Sequence, residues 1–574
     1  MRVVATAGHV DHGKSALVQA LTGVHPDRWE EEKRRGLTID LGFAHTTLPS
    51  GEELSIVDVP GHVRFLRNML AGVGGVDACI FVVAATEGWK PQSEEHLRIL
   101  EMVGVTHGVI AMTKSDLVDD DWRSLQEMDI RDRVAGTFLE DEPIVAVSST
   151  SGEGLEALRS ELEALVHRSP SAADRGRPRL WIDRVFAAKG SGTVVTGTLT
   201  GGVLRSDQVV TVLGERPHEA RVRGIQVHGA KVDSVGPGHR VALNLAGVEH
   251  QQLRRGDAVV DPAQWHVTTR LDASLTVLAA LDHRVSRRGA YTLHAGSGEH
   301  PARLRVLGPE RIAPGETGHV RLHVTTPLPL VRGDRFVLRE SGRDETVGGG
   351  VVLDVAPVRS ASKATPDMSV DRVVAEHGWI TADDLWALTD ERRAPSIGPW
   401  VVDPAARTLA EERLRALVAG ADPALGLDVA ALDERQRALL PLLEEVSVVD
   451  GRARPAEVRD PLADHPLLAR LEAAGVQPPD VTDVDKAQVR ALVRKGLLVE
   501  RDGILFHPSA VDTAALTAAR LLSTSDGFTV SDFREALGIT RKHALPLANE
   551  LDARGITRRR DDVRIGGPRL PSIG

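Results

Sequence analysis

Residues 8–15 read GHVDHGKS, a spacing that can bind a triphosphate without help from the rest of the chain. Gly8, Gly13, Lys14 and Ser15 satisfy G-x-x-x-x-G-K-[ST]. The octet follows the β-rich RVVATA and precedes the helical SALVQAL, which places it in a strand-to-helix turn. There the backbone of His9, Val10, Asp11 and His12 can wrap phosphates with inward N–H groups, and the helix N-terminus adds positive potential. Lys14 would bridge the β- and γ-phosphates, and Ser15 would coordinate Mg²⁺. A chance glycine turn explains these flanks less well.

Further stretches carry complementary chemistry. DVPGH, Asp58 to His62, follows the apolar run LSIVDV. Asp58 can hold Mg²⁺ through water, and the Gly61 N–H can meet a γ-phosphate, which is how a chain senses the third phosphate. In RRGLTID, Thr38 is a candidate second Mg²⁺ ligand on a switch segment, although alone it would read as an ordinary loop residue. TKSD places Thr113, Lys114 and Asp116 after the strand-like GVIAM. A buried Asp116 carboxylate would accept from guanine N1 and N2, a donor pair adenine lacks. In VSSTSG, loop N–H groups around Ser148 and Ser149 would meet guanine O6.

These residues need a scaffold. RVVATA, LSIVDV, ACIFVVAA, GVIAMT and PIVAVS alternate with helical stretches up to about Ser169, which predicts an α/β domain with a mainly parallel sheet. HRSPSAADRGRPR then reads as a linker. Short strand-like runs with glycine turns from about Arg179 to Pro357 predict one or two small β-barrels, and beyond SASKATPDMS the chain turns helical. At 574 residues, about three to five domains are expected. The one cysteine, Cys79, lies in an apolar run and excludes an intrachain disulfide. With no long apolar span and no leader-like start, a cytoplasmic protein without membrane contact is expected. A net charge of −11 argues against general nucleic-acid coating but leaves room for a local basic surface.

With these motifs in place, the first part of the chain resembles the translational GTPases of the elongation factor Tu type. Thr113 stands where that family usually has Asn, while Lys114 and Asp116 remain. IDRVFAAKGSGTVVTGTLTGG is similar to the start of the family's second domain, where the aminoacyl end of tRNA sits between barrel and GTPase domain. At the aminoacyl positions this chain has Asp183, Arg184 and Arg240. From charge alone, surface ion pairing explains both arginines better, because exposed pairs are common and weak. The branch that matches best, over the whole chain, is SelB, the selenocysteine-specific elongation factors. That resemblance implies an anion pocket: a selenolate would receive charge-assisted hydrogen bonds, and a neutral serine would leave two desolvated cations poorly paired.

The resemblance also implies a C-terminal winged helix that binds the selenocysteine insertion hairpin in mRNA. The residues agree with such a fold. SDFREALG is a short helix, Gly538 a turn, Thr540 a cap, and Ala544, Leu547, Ala548 and Leu551 one buried stripe of the next helix, which Gly555 ends. ITRRR and DVRI form a hairpin wing. Arg541 and Lys542 at the helix start, with Arg558, Arg559 and Arg560 on the wing, suit phosphates and splayed bases.

The expected architecture is therefore multidomain: an α/β P-loop GTPase domain (1–170), two β-barrel domains (176–262 and 265–358), then tandem winged-helix domains. These divide into two or three spacer modules (366–510) and the hairpin-binding module (511–574). The implied activity is GTP-dependent delivery of selenocysteinyl-tRNA to the ribosome at UGA codons. The protein would act as a monomer with GTP/GDP and Mg²⁺, and His62 would position the attacking water. Two alternatives stand beside it: a related translational GTPase with another aminoacyl-tRNA, and a nucleotide-gated winged-helix regulator on duplex DNA.

Overall fold

The computed structural model describes residues 2–26, 40–61, 66–73, 76, 78–170, 172–188, 192–423, 425–456 and 462–572. Thr38 and His62 lie outside the described residues. The chain forms two compact units, Met1–Asp403 and Pro404–Gly574.

The first unit begins with β1 (Arg2–Ala7), α1 (Lys14–Thr22), β2 (Gly42–Thr47), β3 (Glu53–Asp58), α2 (Leu66–Val73), β4 (Ala78–Ala84), α3 (Pro91–Val103), β5 (Gly108–Thr113), α4 (Asp120–Val134), β6 (Ile144–Ala146) and α5 (Leu155–Arg168). They form a six-stranded sheet in the order β2-β3-β1-β4-β5-β6, parallel except for β2. Every residue of β4 is buried, because helices cover both faces. Phe81, Leu97, Leu100 and Ile130 pack on one face, and Leu17, Leu21, Leu158 and Leu162 on the other. The buried Cys79 thiol is pushed up in pKa by its apolar surroundings. Strand order reverses at β1, so the loops after β1, β3 and β5 gather over the carboxyl ends of the strands, where such sheets place ligands.

Two closed six-stranded barrels follow. In ring order the first contains Val209–Leu213, Ala258–Val260, Arg179–Ala188, Gly192–Thr200, His239–Ala246 and His218–Val227. Leu180, Ile182, Val195, Val222 and Leu243 fill it. The second contains Thr268–Val277, Thr317–Leu328, Gly298–Leu307, Tyr291–Ala295, Arg335–Glu340 and Glu345–Asp354. Its burial alternates along Gly298–Leu307 up to Val306, as a barrel wall requires.

The helices Val370–His377 and Ala382–Thr389 do not stand apart as a spacer. Val370, Val373, Val374, Leu385 and Leu388 share the second barrel's apolar core. The linker residue Arg177 is almost wholly buried, with its guanidinium over Trp265 at 4.2 Å and over Trp386 at 5.1 Å. The expected spacer run 366–510 is therefore divided at Asp403.

In the second unit, helices Pro404–Ala419 and Glu434–Leu439 carry the hairpin Val446–Val449/Arg452–Pro455. Helices Pro466–Ala474 and Lys486–Arg494 carry Val499–Arg501/Ile504–Phe506. Helices Pro508–Thr524, Val530–Leu537 and Arg541–Ala553 carry Thr557–Arg560/Val563–Gly566. Among the described residues no helix is long and apolar enough to cross a membrane.

Candidate functional site

The turn between β1 and α1 is built around backbone that only glycine tolerates. Gly8 has φ +129°, and a Cβ there would lie 2.1 Å from the Val82 carbonyl oxygen. Gly13 and Asp11 also have positive φ, at 84° and 62°. The turn is fixed from α3: the Gly8 N–H donates to His96 Nδ1 at 3.0 Å, and the Val10 N–H to Gln92 Oε1 at 3.1 Å. His96 is buried, and desolvation holds it well below the usual imidazole range, so it stays neutral and able to accept. Burial also lowers His12, to about 4.

Lys14 reaches back into the loop, donating to Gly8 O at 3.0 Å and His9 O at 2.7 Å. Burial lowers its pKa to about 8, opposed by Asp58 and Asp11. The Ser15 hydroxyl donates to Asp58 Oδ2 at 2.6 Å, and Thr6 Oγ1 donates to Asp58 Oδ1 at 2.7 Å. The structure thus brings Lys14, Ser15 and Asp58 together from α1 and β3. Gly61 completes the cluster: a Cβ there would lie 2.4 Å from Lys14 Nζ.

At the far end of the cleft, Thr113 takes over a tethering task. Its hydroxyl donates to His12 O at 2.6 Å, so the short side chain still ties β5 to the turn. Lys114 has φ 57° and pairs with Glu87 at 3.0 Å. Asp116 is exposed rather than buried: it stands on the short 3-10 turn Ser115–Leu117 that follows β5. Ser148 works inside its loop, its N–H donating to Glu153 O at 2.9 Å and its hydroxyl accepting from the Ser151 N–H at 3.0 Å. Ser149 beside it is half-buried.

The second constellation joins the first barrel to β2. The ladder between Arg179–Ala188 and Gly192–Thr200 slips between Ile182 and Arg184, which leaves Asp183 as a bulged residue. A bulge re-aims neighbouring side chains, and here Asp183 meets Arg240 while Arg184 meets Phe43. Arg240 holds Asp183 through two nitrogens at 2.9 and 3.2 Å and reaches Thr196 Oγ1 at 3.0 Å. The ring centre of Phe43, from β2, lies 3.4 Å from Arg240 Cζ and 4.5 Å from Arg184 Cζ. Arg184 also donates to Leu41 O. The ion-pair reading holds for Arg240 with the largely buried Asp183; Arg184 faces an aromatic ring and a backbone carbonyl.

In the last module Ala544, Leu547, Ala548 and Leu551 are fully buried, and Gly555 has φ 71° after the helix. Thr540 occupies the cap position, yet its hydroxyl bonds His543 Nδ1 at 2.9 Å instead of a helix N–H. Arg541, Arg558, Arg559 and Arg560 are exposed. Lys542, also exposed, is held by both oxygens of Asp480 at 2.7 and 2.9 Å.

Gln92, His96, Thr6 and Phe43 escaped the sequence reading. The helical pattern of SEEHLRILEMV marks His96 as an inward residue, but nothing local says which backbone it meets.

Comparison with known proteins gives a consistent set of matches. Residues 1–170 match the family "Elongation factor Tu GTP binding domain", and residues 192–260 match "Elongation factor Tu domain 2". Residues 271–359 match "Selenocysteine-specific elongation factor, beta-barrel domain", and 520–565 match "Elongation factor SelB, winged helix". The chain is 32% identical to the selenocysteine-specific elongation factor of Desulfomicrobium baculatum, over 98% of this chain and 99% of that one. It is 36% identical to that of Escherichia coli, over 67% of this chain and 63% of that one. A crystal structure of a bacterial selenocysteine-specific elongation factor superposes with TM-score 0.75 at 25% identity, covering 98% of this chain and 99% of that one. The Methanococcus maripaludis factor in complex with the GTP analogue GppNHp superposes with TM-score 0.54 at 23% identity over 62% of this chain and 80% of that one.

Proposed function

This chain belongs to the family of selenocysteine-specific elongation factors, and so is a GTP-hydrolysing translation factor that binds tRNA and an mRNA hairpin; from that premise we propose how its residues divide the work. GTP lies in the Gly8–Ser15 turn, with Lys14 released from the Gly8 and His9 carbonyls to meet the β- and γ-phosphates. His9, Val10, Asp11, His12 and Gly13 offer the loop backbone, and Gly61 reports the γ-phosphate. Thr113 tethers the base-reading loop, Lys114 covers the base, and Asp116 and the loop at Ser148 and Ser149 read guanine. Bound guanine supplies the burial that Asp116 lacks on its own.

Ser15 Oγ and Asp58 Oδ2 are hard oxygen donors within 2.6 Å of each other, a donor set that fits Mg²⁺, which keeps most of its waters. Ser15 and Thr38 would hold the ion directly and Asp58 through water. Bound there, Mg²⁺ neutralises charge developing on the phosphates. His62 orients the attacking water, and contact with the ribosome completes the hydrolytic arrangement.

One observation carries the cargo assignment: Phe43, a residue of the nucleotide-binding domain, touches both Arg184 and Arg240 of the barrel. The cation pair therefore sits at the seam between the GTP domain and the tRNA-binding barrel. A selenolate there receives charge-assisted hydrogen bonds, and Asp183 keeps Arg240 aimed. After hydrolysis the switch contacts are lost and the tRNA leaves. Meanwhile Arg541, Lys542, Arg558, Arg559 and Arg560 grip the hairpin, which raises the factor's local concentration at one UGA codon. The protein works as a monomer in the cytoplasm.

The test is competition, with GTP present, between seryl and selenocysteinyl forms of the same tRNA. The selenocysteinyl form is expected to bind at least a hundredfold tighter, since a selenolate accepts charge-assisted hydrogen bonds, each contributing about 1.5–3 kcal/mol, that a neutral serine hydroxyl does not match. Equal affinities would remove the anion pocket.

A further inference from the structure

We propose that the cavity where the linker, both barrels and the helix Ala382–Thr389 meet binds a small phosphorylated molecule. It measures about 340 Å³, within the size range of small-molecule pockets, and admits no nucleic-acid helix. Arg175, Arg177, Arg179 and Arg332 line it, with Asp334 and Asp390 as the carboxylates on its wall. All six belong to the first unit. Arg175 and Arg177 come from the linker, and Arg179 opens the first barrel. Arg332 and Asp334 lie in the loop before the strand Arg335–Glu340, and Asp390 ends the helix Ala382–Thr389. The linker is fixed here through its backbone, since the Arg175 and Arg177 N–H groups both donate to Gly201 O at 2.9 Å.

Each guanidinium has partners, yet positive charge remains in excess. Asp390 serves both Arg175 and Arg177, the latter at 3.5 Å, and Asp334 holds Arg179 at 2.6 and 2.8 Å. Arg332 has Glu391 at 3.6 Å, but that carboxylate also holds Arg393 at 2.9 Å. Backbone carbonyls take further donors. Arg177 reaches Trp386 O at 3.2 Å and Ala387 O at 3.0 Å, Arg179 reaches Pro329 O at 2.9 Å, and Arg332 reaches Met368 O. A carbonyl satisfies a donor without cancelling its charge. Four guanidinium groups therefore share two lining carboxylates and part of a third.

Donors are also in excess. The Nε atoms of Arg177, Arg179 and Arg332 are buried without a hydrogen-bond partner, as is Nε1 of Trp265 on the same wall. Burial pushes Arg177 down to about 10, with Arg179 adding to the fall and Asp390 opposing it. A buried cation crowded by a second one is relieved by an anion. A phosphate group carries a charge of about −2 and three strong acceptor oxygens, which suit both the excess charge and the forked donors. A carboxylate brings one charge and two oxygens and leaves the excess partly unmet. The bound molecule would tie the linker to both barrels and to the helix that Asp390 ends.

The experiment titrates the full chain with inorganic pyrophosphate, and separately with malonate, at constant ionic strength. GDP saturates the Gly8–Ser15 turn throughout, and Mg²⁺ is kept in excess of the pyrophosphate. Calorimetry should find one pyrophosphate site per chain, and saturation should raise the melting temperature. Malonate should do neither. Arg175→Gln/Arg332→Gln removes two of the four cations and should weaken pyrophosphate about tenfold or more, with GDP affinity unchanged. Arg177→Lys keeps the charge but loses the fork, and should weaken it too. Arg558→Ala/Arg559→Ala, at the exposed tip, should bind pyrophosphate as the parent does. No pyrophosphate binding, equal binding of malonate, or equal binding by parent and double variant would each overturn the proposal. If the ligand-free double variant melts early, Arg175→Gln alone decides: its side chain is 57% exposed, and a loss of about threefold is expected.

Discussion

The nucleotide cleft and the C-terminal cationic surfaces solve recognition in opposite ways. In the cleft, function rests on buried groups held in strained or desolvated states: Gly8 against Val82 O, Lys14 under Asp58, and His96 beneath the turn. At the tip, exposed guanidinium and ammonium groups rest on an ordinary helix and hairpin. The first kind of site fails abruptly when one atom is added. The second weakens in steps, one phosphate contact at a time.

The sharpest test of that contrast is Gly8→Ala. Its Cβ would lie 2.1 Å from a backbone oxygen, at a φ that L-residues avoid, so the turn must move. Nucleotide binding should fall below detection by equilibrium titration while far-ultraviolet circular dichroism stays native. Retained binding would show that the turn is more compliant than its geometry implies.

Arg240→Ala should come next. It leaves Asp183 largely buried without its cation, at a cost of about 3–5 kcal/mol, and removes one of the two cations proposed to face the cargo. Preference for selenocysteinyl- over seryl-tRNA should drop about a hundredfold. Asp183→Asn/Arg240→Ala should recover thermal stability without recovering the preference. Recovery of both would make the pair structural only.

On the exposed side, Arg558→Ala/Arg559→Ala should weaken the insertion hairpin about tenfold and flatten its salt dependence, with tRNA affinity intact. Loss of both RNAs would break the division between the two ends.

These expectations also show where sequence was informative. The glycine and lysine spacing of residues 8–15 is local and encodes its own geometry, as do the buried run of β4 and the stripe Ala544, Leu547, Ala548 and Leu551. Contacts between distant segments were not legible. Phe43 meets Arg240 across two domains, His96 of α3 meets Gly8 in the turn after β1, and Trp386 meets Arg177 of the linker. The bulge at Asp183 has no glycine to announce it, and β2 went unread beside the motifs around it. Pattern predicts which face is buried but not which partner buries it.

A smaller effect probes the cleft through pH. His96 and His12 are both held below the unfolded imidazole value by burial. Below about pH 6.5 the unfolded chain takes up protons that these folded residues refuse. Their contribution to stability is therefore complete above pH 6.5 and declines as pH falls, by up to about 1.4 kcal/mol per unit for each histidine. His96→Asn keeps an acceptor for the Gly8 N–H and removes one titrating group. Its denaturant midpoint should match the parent near pH 8 and fall less steeply toward pH 5. A parallel fall in both proteins would place the acid sensitivity elsewhere.

The smallest expected effect lies at Lys542. Its neighbour Arg541 is exposed at the same helix start, but Lys542 is held by both oxygens of Asp480. The pair is open to solvent, so it adds little to stability, yet it must open before the ammonium can meet a phosphate. Lys542→Ala should change hairpin affinity less than about threefold, and Arg541→Ala more, since each productive phosphate contact is felt through counterion release. Asp480→Ala gives the converse: with the carboxylate gone, Lys542 should bind RNA more tightly and steepen the salt slope. If Lys542→Ala matched Arg541→Ala, the Asp480 contact would be too weak to withhold the cation, and both residues would belong equally to the RNA-binding surface.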